Sequence, residues 1–375
     1  FYFAYCHKKM DEIANQLALL SVKGIGPIQC RKLLNDFETP NQLFSAKKVD
    51  FYTKYKDRGN KIHEKIQEAK KALKSSKELI DFCHLNTISI IPYSSKSYPT
   101  ELKKCVDAPQ ILFSSGTKTW NNSPALSIVG TRKCTNYGVE AVNNICKNLS
   151  KHDITIVSGL ANGIDYYAHH FALENKLVTN AILGHGLNHI YPKYHSEITE
   201  KIKKNGCLIS EFNPAEKPTK YTFPKRNRII AGISTATLIV ETPYKGGAMI
   251  TARMANDYNK DVFSIPGNIK SKQSQGCHQL IKNNQAHLVS SAEDIVNLMG
   301  LELKPFERKN YRAKNELNDL QRKVIELVEN SPNIIIDELS MVLEISIQDL
   351  QIQLTKMELN GVIKLLFGKK IKILI

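Results

Sequence analysis

The sequence predicts a three-part chain built around a doubly wound α/β domain with a parallel sheet. Three observations predict it. Between about 125 and 300, short β-branched-rich runs (Leu126–Val129, Ile154–Val157, Ala181–Leu183, Leu208–Ile209, Thr237–Val240 and Val262–Ile265) each lead through a glycine or polar turn into an amphipathic stretch. That is the pattern of strands buried on both faces by helices. Before them, residues 11–82 carry helical periodicity; after them, a compact helical segment ends in two short strands.

The elements follow in order. Ile13, Leu17 and Leu20, then Leu33, Leu34 and Phe37, then Ile62, Ile66, Ala69 and Leu73 mark a helical domain over 1–82. Its first two helices are joined by Val22-Lys23-Gly24-Ile25-Gly26-Pro27, whose glycines permit a tight turn with backbone N–H groups free to meet a phosphate. The turn reads either as a helix-hairpin-helix or as a plain connection. Pro92, Pro99, Pro109 and Pro124 break any long helix between 83 and 124, so this stretch is expected to hold strands and loops leading into the α/β domain, assigned to 83–303.

Residues 304–316 are polar, charged and aperiodic, and read as a linker. From 317 to 375 come helical patterns at Asp319–Glu329, Asp337–Leu343 and Ser346–Leu359, then strands at Val362–Phe367 and Ile371–Ile375. That order describes a winged helix. Its third helix carries only Lys356 as a cation, against Asp349 and Glu358, which favours protein contacts over major-groove reading; a wing of Lys369, Lys370 and Lys372 is the DNA alternative.

The charge balance names the partner class. With 52 Lys plus Arg against 36 Asp plus Glu, the formal net charge is +16, which attracts polyanions. No apolar run approaches the ~20 residues needed to span a bilayer, so a soluble, cytoplasmic protein without membrane contact is expected. Cys6, Cys30, Cys83, Cys105, Cys134, Cys146, Cys207 and Cys277 stand singly, the usage of reduced, mostly buried thiols.

Ligands of open parallel sheets meet the loops after the strands. Here those loops hold Gly130-Thr131-Arg132, the run from Ser158 and Gly159 to Gly163 and Asp165, Gly184-His185-Gly186, Glu211-Phe212, Glu241-Thr242 with Gly246-Gly247, and Pro266-Gly267. Such a rim suits phosphate oxygens, with Gly130, Thr131, Ser158, Gly159, Gly163 and Gly247 as the anion-binding positions. Phe223-Pro224-Lys225-Arg226-Asn227-Arg228 adds cations beside a ring on which a base can stack. The opposing reading buries Phe223 and leaves the cations solvated or paired with Glu211 and Glu241. Arg132 and Lys193 extend the same basic rim.

Neither G-x-G-x-x-G nor G-x-x-x-x-G-K-[ST] occurs at the first turn, so no nucleotide cofactor is expected. Asp165, Glu211, Glu241, His169 and His185 compose no recognisable catalytic set. His169-His170 lacks the spacing of a helical metal pair, so neither a catalytic residue nor a metal is assigned.

Ser127–Arg132 (SIVGTR), Ser158–Asp165 (SGLANGID), Ile182–Pro192 (ILGHGLNHIYP), Phe223–Ser234 (FPKRNRIIAGIS), Gly246–Ala255 (GGAMITARMA), and IPGNI with QGCHQLI between Ile265 and Ile281 resemble, in order and spacing, the DprA/Smf family. The resemblance covers about 100–300. It implies an extended Rossmann-like fold, a homodimer, binding of incoming single-stranded DNA during natural transformation, and loading of RecA onto that strand. The family's DNA-binding positions fall on Arg132, Lys193, Phe223, Lys225, Arg226 and Arg228. Thr131, Gly246 and His185 depart from the family pattern without removing a cation.

Two other functions compete with this one. The first is a nucleotide hydrolase of the LOG, lysine-decarboxylase-like group using Glu211 and Glu241; that group's P-G-G-x-G-T-x-x-E run is absent, the nearest stretch being Gly246–Thr251. The second is a duplex-specific regulator using the tail.

Overall fold

The computed structural model describes residues 2–303, 318–331, 334–359, 362–366 and 370–373, and divides into a unit of residues 1–302 and a unit of residues 303–375. In the first unit the chain opens with helices α1 (Tyr2–Ser21), α2 (Pro27–Asp36), α3 (Pro40–Ser45), α4 (Lys48–Tyr55), α5 (Gly59–Lys71) and α6 (Leu73–Leu85). Between α1 and α2, Gly24 has φ +83°, the left-handed region that favours glycine. Gly26 and Pro27 then start α2, and Ile25 is buried against Leu33, Phe51 and Ile66.

The sheet and its helices follow: β1 (Ser89–Pro92), α7 (Thr100–Lys103), β2 (Ile111–Gly116), β3 (Ala125–Val129), α8 (Asn136–Leu149), β4 (Thr155–Ser158), α9 (Ile164–Glu174), β5 (Val178–Ile182), α10 (Ser196–Asn205), β6 (Cys207–Ser210), α11 (Thr222–Ile233), β7 (Ala236–Ile239), α12 (Gly247–Asp257), β8 (Asp261–Ser264), α13 (Gln275–Lys282), β9 (His287–Leu288) and α14 (Ala292–Met299). The strand order is β1-β2-β6-β5-β4-β3-β7-β8-β9. All the apolar runs named from the sequence became strands, joined in parallel from β6 to β9.

The sheet is not wholly parallel. β1 and β2, from the proline-rich stretch, add antiparallel at the β6 edge, with Phe113 opposite Ser210. The initial helices lie against them: Ala14, Leu17, Ile80 and Cys83 pack on Ile88, Ile111 and Phe113, and Arg31 donates to the carbonyls of Val106 and Ala108 at 2.5 and 2.6 Å. The helical segment therefore belongs to the same compact unit as the sheet.

β3, β4, β6 and β7 are buried along their whole length, because helices cover both faces. Val142, Ile145 and Leu149 of α8, Ala168 and Ala172 of α9 and Ile295 of α14 pack with Leu126, Ile128 and Leu238. Ile229, Ile230 and Ile233 of α11 and Ala252 and Ala255 of α12 pack with Val129, Val157 and Ile239. The chain winds from β3 out to β6, then returns to start β7 beside β3, with Val129 level with Ile239. This reversal opens a crevice between the two strand ends, where open α/β sheets receive ligands.

In the second unit, α15 (Asp319–Asn330), α16 (Ile336–Leu343), α17 (Ile347–Leu359), β10 (Ile363–Leu366) and β11 (Lys370–Ile373) enclose Val324, Leu339, Leu350, Leu354, Met357 and Ile371. The strands pair antiparallel. The expected linker at 304–316 and Lys369 lie outside the described residues.

Candidate functional site

The floor of the crevice is an internal charge cluster. Asp165, at the start of α9, is buried and accepts the backbone N–H of Gly159 at 3.2 Å, with the amides of Gly130 and Ala161 also favouring its charged form. The Gly130 and Gly159 amides were expected to hold phosphate; a carboxylate of the same chain lies against them instead. The Thr131 amide is likewise used, donating to the Glu241 carbonyl at 2.7 Å. Ser158 is fully buried and donates its hydroxyl to the Ile128 carbonyl at 2.6 Å. Gly163, with φ +75°, lets the β4 loop pass against Thr131, where a Cβ would lie 2.3 Å from its carbonyl oxygen.

Arg226 completes the cluster. Its guanidinium donates to the carbonyls of Gly159 and Ile182, and only 3% of the residue is exposed. A Cβ on Gly159 would fall 2.5 Å from Arg226 Nη1 and 2.6 Å from Asp165 Oδ2, so the cluster closes only over a glycine. Burial lowers the Arg226 pKa to about 10, against the opposing pull of Asp165. Asp165 is pushed up by burial and drawn back by Arg226 and the amides.

Arg228 and Lys225 also depart from the expected rim. The Arg228 side chain is buried, ion-paired to Glu211 and bonded to the Asp107 carbonyl. Lys225 is exposed, 3.8 Å from Glu211, but lines a different groove. The alternative reading of the basic run thus describes Arg228 and Lys225. It does not describe Phe223, which is half-buried with its ring on the cavity. Nor does Glu241 pair with these cations: it accepts from the Thr135 amide and hydroxyl at 2.9 and 2.6 Å, fixing the loop after β3.

Above the floor lies a cavity of about 680 Å³. Arg132 is exposed on its lip, with the guanidinium carbon 5.4 Å from the centre of the Phe223 ring. The Tyr191 ring lies 5.8 Å from that of Phe223, and Gly184 lets Phe223 approach the β5 loop, since a Cβ there would come within 2.8 Å of the ring. The first turn of α12, including Gly247 and Ala248, forms part of the opposite wall, where first-turn amides lack intrahelical acceptors. Open space surrounds Gly247.

Sequence reasoning missed Lys220 and Tyr191. Lys220 is exposed and lines the cavity, yet it sits in an aperiodic loop next to Tyr221, outside the basic run. Its signal was a cation beside an aromatic, the pairing already noted at Phe223. Lys193 is exposed just beyond Tyr191 and does not line the cavity.

The acid–base candidates are engaged within the chain. The Glu211 side chain is buried against Arg228, Glu241 is bonded to Thr135, and Asp165 is turned to the loop amides. His169 is fully buried with Nδ1 2.7 Å from the Thr179 hydroxyl, and burial lowers its pKa to about 3, leaving it neutral. His185 is buried and lowered in the same way.

Fold and site together define a Rossmann-like α/β protein whose topological switch point carries an open, cationic, aromatic-lined cavity over a self-satisfied floor. The chain belongs to the DprA/Smf family: residues 89–300 match the family profile for DNA recombination-mediator protein A. It is 35% identical over 297 residues to protein Smf of Synechocystis, covering 78% of this chain and 74% of that protein. It is 39% identical over 199 residues to the DNA processing protein DprA of Streptococcus pneumoniae, covering 53% and 70%. The X-ray structure of Streptococcus pneumoniae DprA superposes with a TM-score of 0.57 at 30% identity, covering 74% of this chain and 99% of that one. A Helicobacter pylori DNA processing protein A, described for its single-stranded DNA binding mode, superposes with a TM-score of 0.52 at 28% identity, covering 56% and 95%.

Proposed function

We propose that this protein binds single-stranded DNA, without sequence choice, in the switch-point cavity. The observation that carries this reading is the pairing of outward cations with outward rings. Arg132 and Lys220 are exposed at the rim, Phe223 and Tyr191 offer ring faces, and the carboxylate on the cavity lining, Asp165, is turned to loop amides and Arg226. Phosphates meet the cations and the α12 N-terminus, while bases stack on the rings, each stacked base contributing about 1–3 kcal/mol. Arg226 supports this surface from below, and Lys193 and Lys225 flank it.

In this reading the chain is a binding module rather than an enzyme, since the carboxylates a LOG-type hydrolase would use are held by Thr135 and Arg228. It works in the cytoplasm as a homodimer, needs no cofactor or metal, protects DNA taken up in natural transformation and passes it to RecA. The segment 317–375 is a winged helix with an accessory, protein-contacting role, and the initial helices form a helix-hairpin-helix domain.

The test is equilibrium binding of fluorescent oligo-dT and of a matched duplex across a salt series. Single-strand preference with a log–log salt slope shallower in Arg132→Ala by about 0.7, one phosphate's share, is expected. Equal or tighter duplex binding, or none at all, would overturn the proposal.

A further inference from the structure

α11 presents different residues to two openings. Phe223, Asn227 and Ile230, at helical spacing, line the cavity. Lys225 and Arg228 instead line a second groove of about 560 Å³, whose other walls come from α2 and from the α4–α5 corner. Gly26, Pro27, Ile28, Gln29, Lys32 and Leu33 form one side, and Tyr55, Arg58 and Ile62 the other.

The groove's lining carries four cations, Lys32, Arg58, Lys225 and Arg228, against one carboxylate, Asp107. Lys32, Arg58 and Lys225 are exposed. The carboxylates beside them are committed: Asp107 accepts from Tyr258 at 2.6 Å, Glu211 is held by Arg228, and Asp36 accepts from the Tyr55 hydroxyl at 2.5 Å. Between the cations lie apolar and aromatic surfaces: Ile28 is 55% exposed, and Lys32 Nζ stands 5.9 Å from the centre of the Tyr55 ring. α2 also begins here, so its first-turn amides add donors at the same wall. Cations alternating with apolar faces fit a flexible polyanion whose bases can lie flat, as a single strand's can. A rigid duplex would offer the apolar surface nothing.

We infer that this groove continues the single-strand path: DNA leaving the cavity crosses the first turn of α11 at Pro224 and Lys225 and enters the groove between α2 and α5. The crossing is one helix wide, about 10 Å. The inference rests on the single-strand reading of the cavity and adds a second segment of track.

The experiment measures anisotropy with oligo-dT of two lengths, about 6 and about 20 nucleotides, within the range of single-strand site sizes. The proteins are the full chain and its Lys32→Gln/Arg58→Gln variant. Both side chains are exposed, so the variant is expected to keep the wild-type Tm. The short oligonucleotide should bind both proteins alike. The long one should bind the variant about tenfold more weakly, with a salt slope shallower by about 1.4, two phosphates' worth. Lys32→Arg/Arg58→Lys should restore it. Unchanged binding of the long strand overturns the track and leaves the cavity reading intact, and equal weakening at both lengths also overturns it. Failure of the wild type to bind either length removes the cavity reading itself.

Discussion

Arg226 stands within the basic run, yet its guanidinium serves the scaffold, which fixes how its loss should be felt. In Arg226→Met the carbonyls of Gly159 and Ile182 lose their donor, and Asp165 keeps its amides but loses its cationic neighbour. Leaving buried polar groups and a buried charge uncompensated costs about 3–5 kcal/mol. At roughly 2–4 °C per kcal/mol, the scale for domains of about 150–250 residues, the unfolding transition should fall by roughly 6–20 °C. Scanning calorimetry reads this directly, with oligo-dT anisotropy measured well below the transition. Arg132→Ala is the contrast: an exposed rim cation whose loss should leave Tm in place and weaken binding. If Arg226→Met keeps the wild-type Tm and binds as poorly as Arg132→Ala, Arg226 is a direct strand contact and the reasoning from its burial is wrong.

Two further outcomes follow from the same geometry. Phe223→Leu removes the ring beneath Arg132 and should cost about 1–3 kcal/mol in oligo-dT binding, the share of one stacked base; anisotropy showing no change would take the ring out of the interface. His169 is neutral when folded because burial holds its pKa near 3, while the unfolded chain takes up a proton near the ordinary value of 6.5. Stability should therefore fall by about 1.4 kcal/mol per pH unit from this group as pH drops below about 6.5. In His169→Gln the denaturant midpoint should lose that part of its slope between pH 7 and 5, and parallel slopes in the two proteins would clear His169.

The strands β3 to β8 were legible because their cores are contiguous apolar runs covered on both faces, a pattern the chain carries locally. The rim was legible for the same reason: loops after parallel strands converge wherever the chain reverses, and Arg132 lies in such a loop while Phe223 stands in the first turn of α11. β1 and β2 were not readable as part of this sheet, since nothing in their short runs states that β2, with β1 on its other side, pairs with β6, far along the chain.

Sequence by itself determined that residues 125–300 make a doubly wound sheet and that cations and rings gather at one of its edges. Only the tertiary structure decided which cations face out. Arg226 meets carbonyls 67 and 44 residues away, Arg228 meets a carboxylate 17 residues away, and Asp165 reaches the amides of two strand-end loops. Lys220, in an unpatterned loop, was left exposed on the cavity, over the Tyr221 ring. Local hydrophobic periodicity encodes which faces are buried. The partner of a buried charge depends on which strands the crossovers bring side by side, and a buried charge must take whatever partner that order supplies.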